Sequence, residues 1–592
     1  MRFLSTLAAS FLGTLLGLGL LFLFGLMFVF ALASTSEQAP SVRTGTILVA
    51  ELGGNYPEMV SGDPIAQAFG GESRVDMHDV IRAMRMAAVD DRIDGVWLRM
   101  GDLQTPWANL EAIRRAIEDT RAAGKTVIAS SDIFYMGEDE LYLASAADSI
   151  LLDPESMFEF NGFAMQTVFL RGLFDKAGIN PQAVRAGQFK SAVETYTRKS
   201  MSEANKLQLS EIVADMESTL VNAISVSRGL GSERVGALLD AGNILSARDA
   251  LEAGLIDGLA FADEVESVFG NDPRTISLVK YAQSSARTAG IPQGSDGEIA
   301  VVYAEGTMVA ASGNGLQDYG SAAITPERFA RAMTRAREDD DVDAIVLRIN
   351  SPGGFAPAAD AMLREIQLTV AQKPVIVSMG SMAASGGYWI AAAADTIVAE
   401  RLTWTGSIGV FGLVMDVSSL LEDHLGVTID GVQTGPSADM MGGFRSMTPA
   451  ERANLGRSMD RTYDQFLALV AEGRGMTVEE VHAVAQGRVW TGTDARDAGL
   501  VDVLGGLETA LDLAAERVGL AKGSYRVTEL PRPQTFLDRF TKSLEARVMG
   551  PTPRALGLLL PPAAAVAYGS LLDALSLQHG VYALLPLRMM VN

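Results

Sequence analysis

Two serines in glycine-rich turns and one sparsely accompanied lysine are the residues best suited to covalent chemistry. The first turn is Asn350-Ser351-Pro352-Gly353-Gly354, at the end of an apolar run. The second is Ala383-Ala384-Ser385-Gly386-Gly387-Tyr388, about thirty residues on. Glycines there let backbone N–H groups face a cleft with no Cβ in the way. A serine in such a turn can expose its Oγ, with the next N–H placed to stabilise an oxyanion. Either turn alone reads as a tight turn before a helix. Together, at this spacing, they are much more specific.

A serine nucleophile needs a base. The chain has no cysteine, so thiol nucleophiles and Cys-ligated zinc are excluded. Its four histidines, His78, His424, His482 and His579, lie far apart and outside any His-Glu-x-x-His pattern. They suggest neither a metal site nor a triad, and His424 reads as a surface or helix-end residue. There are only nine lysines, and Lys190 lies in Gly187-Gln188-Phe189-Lys190-Ser191-Ala192-Val193-Glu194. An amine can activate a serine only when neutral, and burial in an apolar wall lowers its pKa. Phe189, Ala192 and Val193 suit that role, provided Glu194 points away. Taken alone, Lys190 reads first as a solvated surface lysine.

An internal repeat changes that reading. Asp91–Met100 aligns with Asp340–Ile349 at an offset of 249, and Arg82-Ala83-Met84 with Arg331-Ala332-Met333 at the same offset. Lys125-Thr126-Val127-Ile128 matches Lys373-Pro374-Val375-Ile376, and Ala253–Asp257 matches Ala498–Asp502. Two copies of one unit follow, 45–278 and 298–519, joined by a Ser/Gly/Ala-rich linker, 279–297. Short apolar strands (Gly95–Met100, Val127–Ser130, Ala344–Asn350, Val375–Met379) alternate with helical stretches, which predicts an α/β fold. The first copy has Gly101-Asp102-Leu103-Gln104 in place of the Ser-Pro-Gly-Gly turn and Met136-Gly137-Glu138-Asp139 in place of the second serine turn. The second copy has Ala438 opposite Lys190. One copy keeps the serines and the other keeps the lysine, so division of labour is the economical reading.

The 592 residues carry a net charge of −24, and the pI of about 4.7 argues against nucleic acid as a partner. From Phe3 to Ser34 there is no charged residue. At about 1.5 Å per residue, a helix of that length exceeds the roughly 30 Å of a bilayer core. Residues 1–34 therefore read as a membrane anchor. The competing reading is a cleaved signal peptide, with Ala31-Leu32-Ala33 as the cleavage site. Arg2 before the apolar run and Glu37 after it place the short end in the cytoplasm and the rest of the chain outside. The C-terminal extension 520–592 includes an apolar tail, Pro551–Asn592, with no counterpart in the first copy. It packs on a partner subunit or lies on the membrane surface.

These motifs resemble the long tandem form of the signal peptide peptidase A family, bacterial envelope proteases of the Ser–Lys class. Asn350–Gly354 and Ala383–Tyr388 carry the likeness to the wider group that includes the Clp protease barrel subunit. Gln188–Glu194 and Thr405-Gly406-Ser407-Ile408-Gly409 narrow it. The resemblance implies two crotonase/Clp-protease-like domains built from β-β-α units, behind one transmembrane helix in the bacterial inner membrane. It implies a homotetrameric dome, apolar peptides such as spent signal peptides as substrates, and no cofactor or metal. Carried over, Ser385 resembles the nucleophile and Lys190 the general base. Gly354 and Gly386 resemble the oxyanion donors, and Ser407 the serine that holds the lysine amine. Thr195 and Arg198-Lys199-Ser200 depart from the family pattern, which bears on rim contacts. Two other classes are weighed against this one. Acyl-CoA enzymes of related fold need no serine at position 385, and a non-catalytic scaffold needs none of the set.

Overall fold

A computed structural model describes residues 42–58, 75–291, 294–310, 323–531, 581–584 and 589–591, together with Gly13, Gly17 and Leu20. The expected anchor, 1–34, lies outside the described residues apart from those three helical positions. Among the described residues no helix is long and apolar enough to cross a membrane.

In the first repeat the strands are β1 (Thr46–Gly54), β2 (Ile93–Leu103), β3 (Thr126–Ser131), β4 (Tyr135–Met136), β5 (Ser149–Leu152), β6 (Met157–Phe158), β7 (Met165–Thr167), β8 (Asn180–Ala186), β9 (Gly258–Leu259) and β10 (Arg274–Ser277). In the second they are β11 (Glu298–Glu305), β12 (Thr307–Met308), β13 (Ala323–Ile324), β14 (Ala344–Ser351), β15 (Gly353–Phe355), β16 (Val375–Ala384), β17 (Thr396–Ala399), β18 (Trp404–Gly406), β19 (Val410–Asp416), β20 (Val489–Trp490), β21 (Val503–Leu504) and β22 (Arg526–Leu530). The tail adds β23 (Val581–Leu584) and β24 (Met589–Val591).

The internal repeat is a repeat of topology. The first repeat forms a parallel sheet in the order β10-β1-β2-β3-β5-β9, and the second repeat has the corresponding order β22-β11-β14-β16-β17-β21. Runs such as Ala344-Ile345-Val346-Leu347 are buried on both faces, as parallel strands covered by helices must be. Helices Met77–Val89 and Pro326–Glu338 carry the matched segments. Each buries the Ala-Met pair and leaves its arginine, Arg82 or Arg331, exposed. Asp76 caps the first by accepting from Asp79 N–H at 2.8 Å, and Thr325 with Pro326 opens the second.

Three features depart from the sequence expectation. The second repeat's sheet runs past Gly519, because β22 supplies its edge strand just as β10 does in the first. The described residues of the linker, 279–291 and 294–297, include buried Ser284 and Ala289, and Tyr281 donates to Asp90 Oδ2 at 2.9 Å. β16 continues beyond Met379 to Ala384, since small residues let its second half bend onto β18.

The repeats are not separate beads. The first core takes in Ala384, Leu402 and Val489 from the second repeat. Buried Arg348 donates to Glu58 across the boundary at 2.8 and 3.0 Å, and His78 Nε2 lies 3.0 Å from the same carboxylate. Burial pushes the Glu58 pKa up, but Arg348 and His78 outweigh it and hold it at about 2. Seven residue pairs join β8 of the first repeat antiparallel to β19 of the second. This third sheet has the order β13-β12-β15-β23-β19-β8 and brings the two halves of the site together.

Candidate active site

Lys190 follows β8 in a turn that begins at Gly187 (φ +105°). The turn docks on Gln486-Gly487 of the second repeat, where Phe189 N–H donates to Gln486 O at 2.9 Å. A Cβ on Gly487 (φ +79°) would lie 2.6 Å from Lys190 Cβ, so a side chain there would collide with the lysine backbone. Gln208, on helix Glu203–Arg228, donates to Ser191 Oγ at 3.0 Å and accepts from Val489 N–H at 3.1 Å. Both repeats therefore hold the lysine in place.

The Lys190 side chain is wholly buried. Its Nζ lies 2.7 Å from Ser385 Oγ, 3.0 Å from Ser407 Oγ and 2.9 Å from Ser407 O. Burial drives the amine pKa well below that of an ordinary lysine. Glu194 does point away. It accepts from Arg185 Nη1 at 3.2 Å and from Ser202 N–H at 3.0 Å, while Arg185 also donates to Lys190 O at 3.0 Å. A neutral amine placed here would have N–H groups for Ser407 and a lone pair for the Ser385 hydroxyl.

Ser385 sits where β16 ends and the short helix Gly386–Ala391 begins, at φ +58° and ψ −114°. A non-glycine residue in that region stores strain of about 1–3 kcal/mol. The surroundings hold it there: Ser385 N–H donates to Gly406 O, and Trp389 N–H to Ser385 O, each at 2.8 Å. Ser407 is a second positive-φ serine (φ +49°), and its N–H donates to Arg488 O at 2.6 Å.

The two glycine turns meet. A Cβ on Gly386 would lie 3.1 Å from Gly353 Cα and 3.2 Å from Gly354 N. A Cβ on Gly354 would lie 2.1 Å from Met308 O. Ser351 is the tied member of the serine pair: its Oγ donates to Gly306 O at 2.6 Å and accepts from Gly353 N–H at 3.1 Å. It closes the turn, so of the two serines in the glycine turns Ser385 is the one in contact with the amine. Of the histidines, His424 is exposed, His482 Nδ1 lies 3.1 Å from Tyr463 Oη, and His579 lies outside the described residues.

The sequence matches the model of peptidase family S49 over residues 119–271 and 367–521, one match in each repeat. A chloroplastic serine protease SPPA from Arabidopsis thaliana is 34% identical over 528 residues, covering 88% of this chain and 76% of that protein. The chain belongs to peptidase family S49. Protease 4 of Salmonella typhi is 33% identical, over 84% of this chain and 81% of the relative. A protein from Enterococcus faecium whose description names a signal peptide peptidase SppA is 35% identical over 31% of this chain and 54% of its own length. As a tandem S49 peptidase, the chain is a serine protease.

Within this S49 chain, Gln208, Arg185, Gln486 and Gly487 shape the lysine pocket without having stood out in the sequence. Each acquires meaning only against a partner in another element, and no local motif marks them. The first repeat has a closed version of the same turns. Gly137 takes the cap position that Ser385 holds in the second. The Glu140 carboxylate accepts from Gly137 N–H at 3.0 Å and from Leu103 N–H at 2.9 Å.

Proposed function

We propose that the chain is a membrane-anchored endopeptidase that cuts apolar peptides by acyl transfer to water, with Ser385 as nucleophile and Lys190 as base. The 2.7 Å contact between a wholly buried lysine amine and the Ser385 hydroxyl carries this reading. Lys190 takes the Oγ proton as Oγ attacks the peptide carbonyl. The Gly354 and Gly386 N–H groups are the donors for the resulting oxyanion. As the C–N bond breaks, the Lys190 ammonium returns its proton to the leaving amine and an ester to Ser385 remains. Water, deprotonated by Lys190, then releases the acid. Ser407 orients the amine through its hydroxyl and carbonyl. The reaction needs no cofactor.

The substrate class follows from the relative described as a signal peptide peptidase and from the motifs of the serine and lysine turns. Signal peptides left after export are apolar and extended. An enzyme anchored through residues 1–34 in the bacterial inner membrane, with both repeats on the outer side, meets them where they lie. The crotonase/Clp-like form of each repeat and assembly into a tetramer belong to the same reading. Labelling with a fluorophosphonate followed by peptide mapping tests it. Modification is expected on Ser385 and is expected to block cleavage of a synthetic signal peptide in detergent. Labelling elsewhere with cleavage intact would overturn it.

A further inference from the structure

Arg99 and Arg348 hold the same place in the two copies, at the offset of 249. Arg99 stands opposite Glu51 of β1, and Arg348 stands opposite Tyr303 of β11. Arg99 is part-exposed and pairs within its own repeat, with Glu51 at 3.0 Å and Asp132 at 2.7 Å. The second repeat has Tyr303 where the first has Glu51, so it offers Arg348 no acid there. Arg348 is buried, and its acid is Glu58 of the first repeat, just past the end of β1. The cost of burying that carboxylate is outweighed by Arg348 and His78, so it stays ionised.

The arginine grips both strands that lead to the serine turns. Its Nε and Nη2 donate to Glu58, while Nη1 donates to Ser378 Oγ and to Met379 O of β16, each at 2.8 Å. There the ladder breaks. Ile349 pairs with Met379 and Ser351 with Ala383, so Asn350 alone faces Gly380, Ser381 and Met382. Asn350 Oδ1 accepts from Ser381 Oγ at 2.9 Å and from Met382 N–H at 3.2 Å. Glu58 lies against the bulge itself, since a Cβ on Gly380 would come 2.7 Å from its Oε1. A bulge re-aims the chain beyond it, and only Ala383 and Ala384 separate this one from Ser385.

We infer that Glu58 is a positioning residue, through which the first repeat fixes the β16 bulge by way of Arg348 and so sets Ser385 against the Gly354 turn. The inference rests on the reading of Ser385 as nucleophile. A buried ion pair adds little net stability over an apolar pair of the same volume. What a bidentate carboxylate does supply is the plane and place of the guanidinium, which a lone contact would leave free to swing. The repeat that carries no nucleophile leaves its arginine at the surface, with no such grip.

The test uses the full-length protein, a synthetic signal peptide for kcat and KM, and a fluorophosphonate for the rate of labelling at Ser385. Arg348→Lys keeps the charge but cannot hold the carboxylate at two points and reach β16 as well. Arg348→Lys and Glu58→Gln should each lower kcat about 100-fold, as a displacement of about 1 Å does, with KM within about threefold. Labelling of Ser385 should slow by a similar factor. The pair Glu58→Leu with Arg348→Met removes both charges and should melt closer to the native temperature than Glu58→Leu alone, while its kcat stays low. A role in stability alone would bring kcat back with the melting temperature, and that recovery would overturn the inference. Native kcat, or native labelling of Ser385, in any folded variant would overturn it too. Where Glu58→Gln does not fold, Arg348→Lys and the paired variant decide. Labelling of the native protein at a residue other than Ser385 would instead overturn the assignment of the nucleophile.

Discussion

Gly137 and Ser385 hold the same place in two copies of one unit, and their surroundings have diverged in opposite directions. In the second repeat the turn at 385 is followed by two glycines, and its backbone touches the Gly353-Gly354 turn with only small atoms between. In the first, Glu138-Asp139-Glu140 follow the turn, and the Glu140 carboxylate lies across both turns, taking the N–H groups of Gly137 and Leu103. A carboxylate fills the turns of the first repeat where the second repeat has glycine backbone against glycine backbone. The lysine shows the reverse pattern. β8 of the first repeat reaches over to pair with β19, whereas the corresponding stretch of the second repeat, around Ala438, is exposed and forms no strand. Each copy thus holds what the other lacks, and on the proposed mechanism the functional unit is the junction between them.

The comparison breaks most sharply if the junction is dispensable. Ser385→Ala and Lys190→Ala should each lower kcat for a peptide substrate by about 10⁴-fold or more, and the double variant should be no worse, because members of one catalytic unit are not additive. Since Lys190 and Ser385 meet within one chain, mixing the two single variants should restore no activity. Recovery in the mixture would place the working pair between chains. Gly487→Ala comes next. Its Cβ would intrude on Lys190, and displacing the amine by about 1 Å should cost about 100-fold in kcat, with KM little changed.

Ser407→Ala removes one hydroxyl from the amine and should lower kcat/KM by about tenfold, the worth of one such hydrogen bond. Ser407→Thr should recover part of the loss if the hydroxyl is what matters. In the silent repeat, Glu140→Ala should leave kcat within about twofold while costing about 1–3 kcal/mol in urea unfolding, because two buried N–H groups lose their acceptor. A large activity loss there would mean the first repeat is not silent.

The smallest effect concerns stability and pH. Lys190 is neutral when folded and charged when unfolded in the window between its lowered pKa and the free value of about 10.4. In that window the unfolded chain binds more protons, so this group makes stability rise with pH. Lys190→Met should therefore stabilise the protein at neutral pH, and the gain should shrink as pH climbs towards the free-lysine value. A gain independent of pH would mean that the amine is not the source. Hydrolysis by the native protein should rise with pH through the lowered lysine pKa, since only the neutral amine accepts a proton.

What could be read in advance follows from how local each signal is. The strand–turn–serine segments announce themselves, because a buried apolar run, two glycines and a serine lie within a few residues. Lys190 became visible only by setting one copy against the other, since Phe189, Ala192 and Val193 do not by themselves tell a buried wall from a surface turn. Gly487 and Gln208 could not be read, because each is defined by a neighbour in another element. Arg348 illustrates the same limit. It was legible as part of a repeated strand, while its buried bond to Glu58 depends on how the two copies pack. The tail looked like a surface for lipid or a partner, yet its described strands add to sheets of its own chain, because apolar composition does not say which open edge a strand will take.

The distance along the chain between Lys190 and Ser385 has a bearing on synthesis. A ribosome releases the amine-bearing half long before the hydroxyl-bearing half exists. On the proposed mechanism neither half holds both reacting groups, so a growing polypeptide should cut nothing until the second domain has emerged and docked. On that mechanism the break between the copies is a built-in delay, separating manufacture of the protease from its first cut.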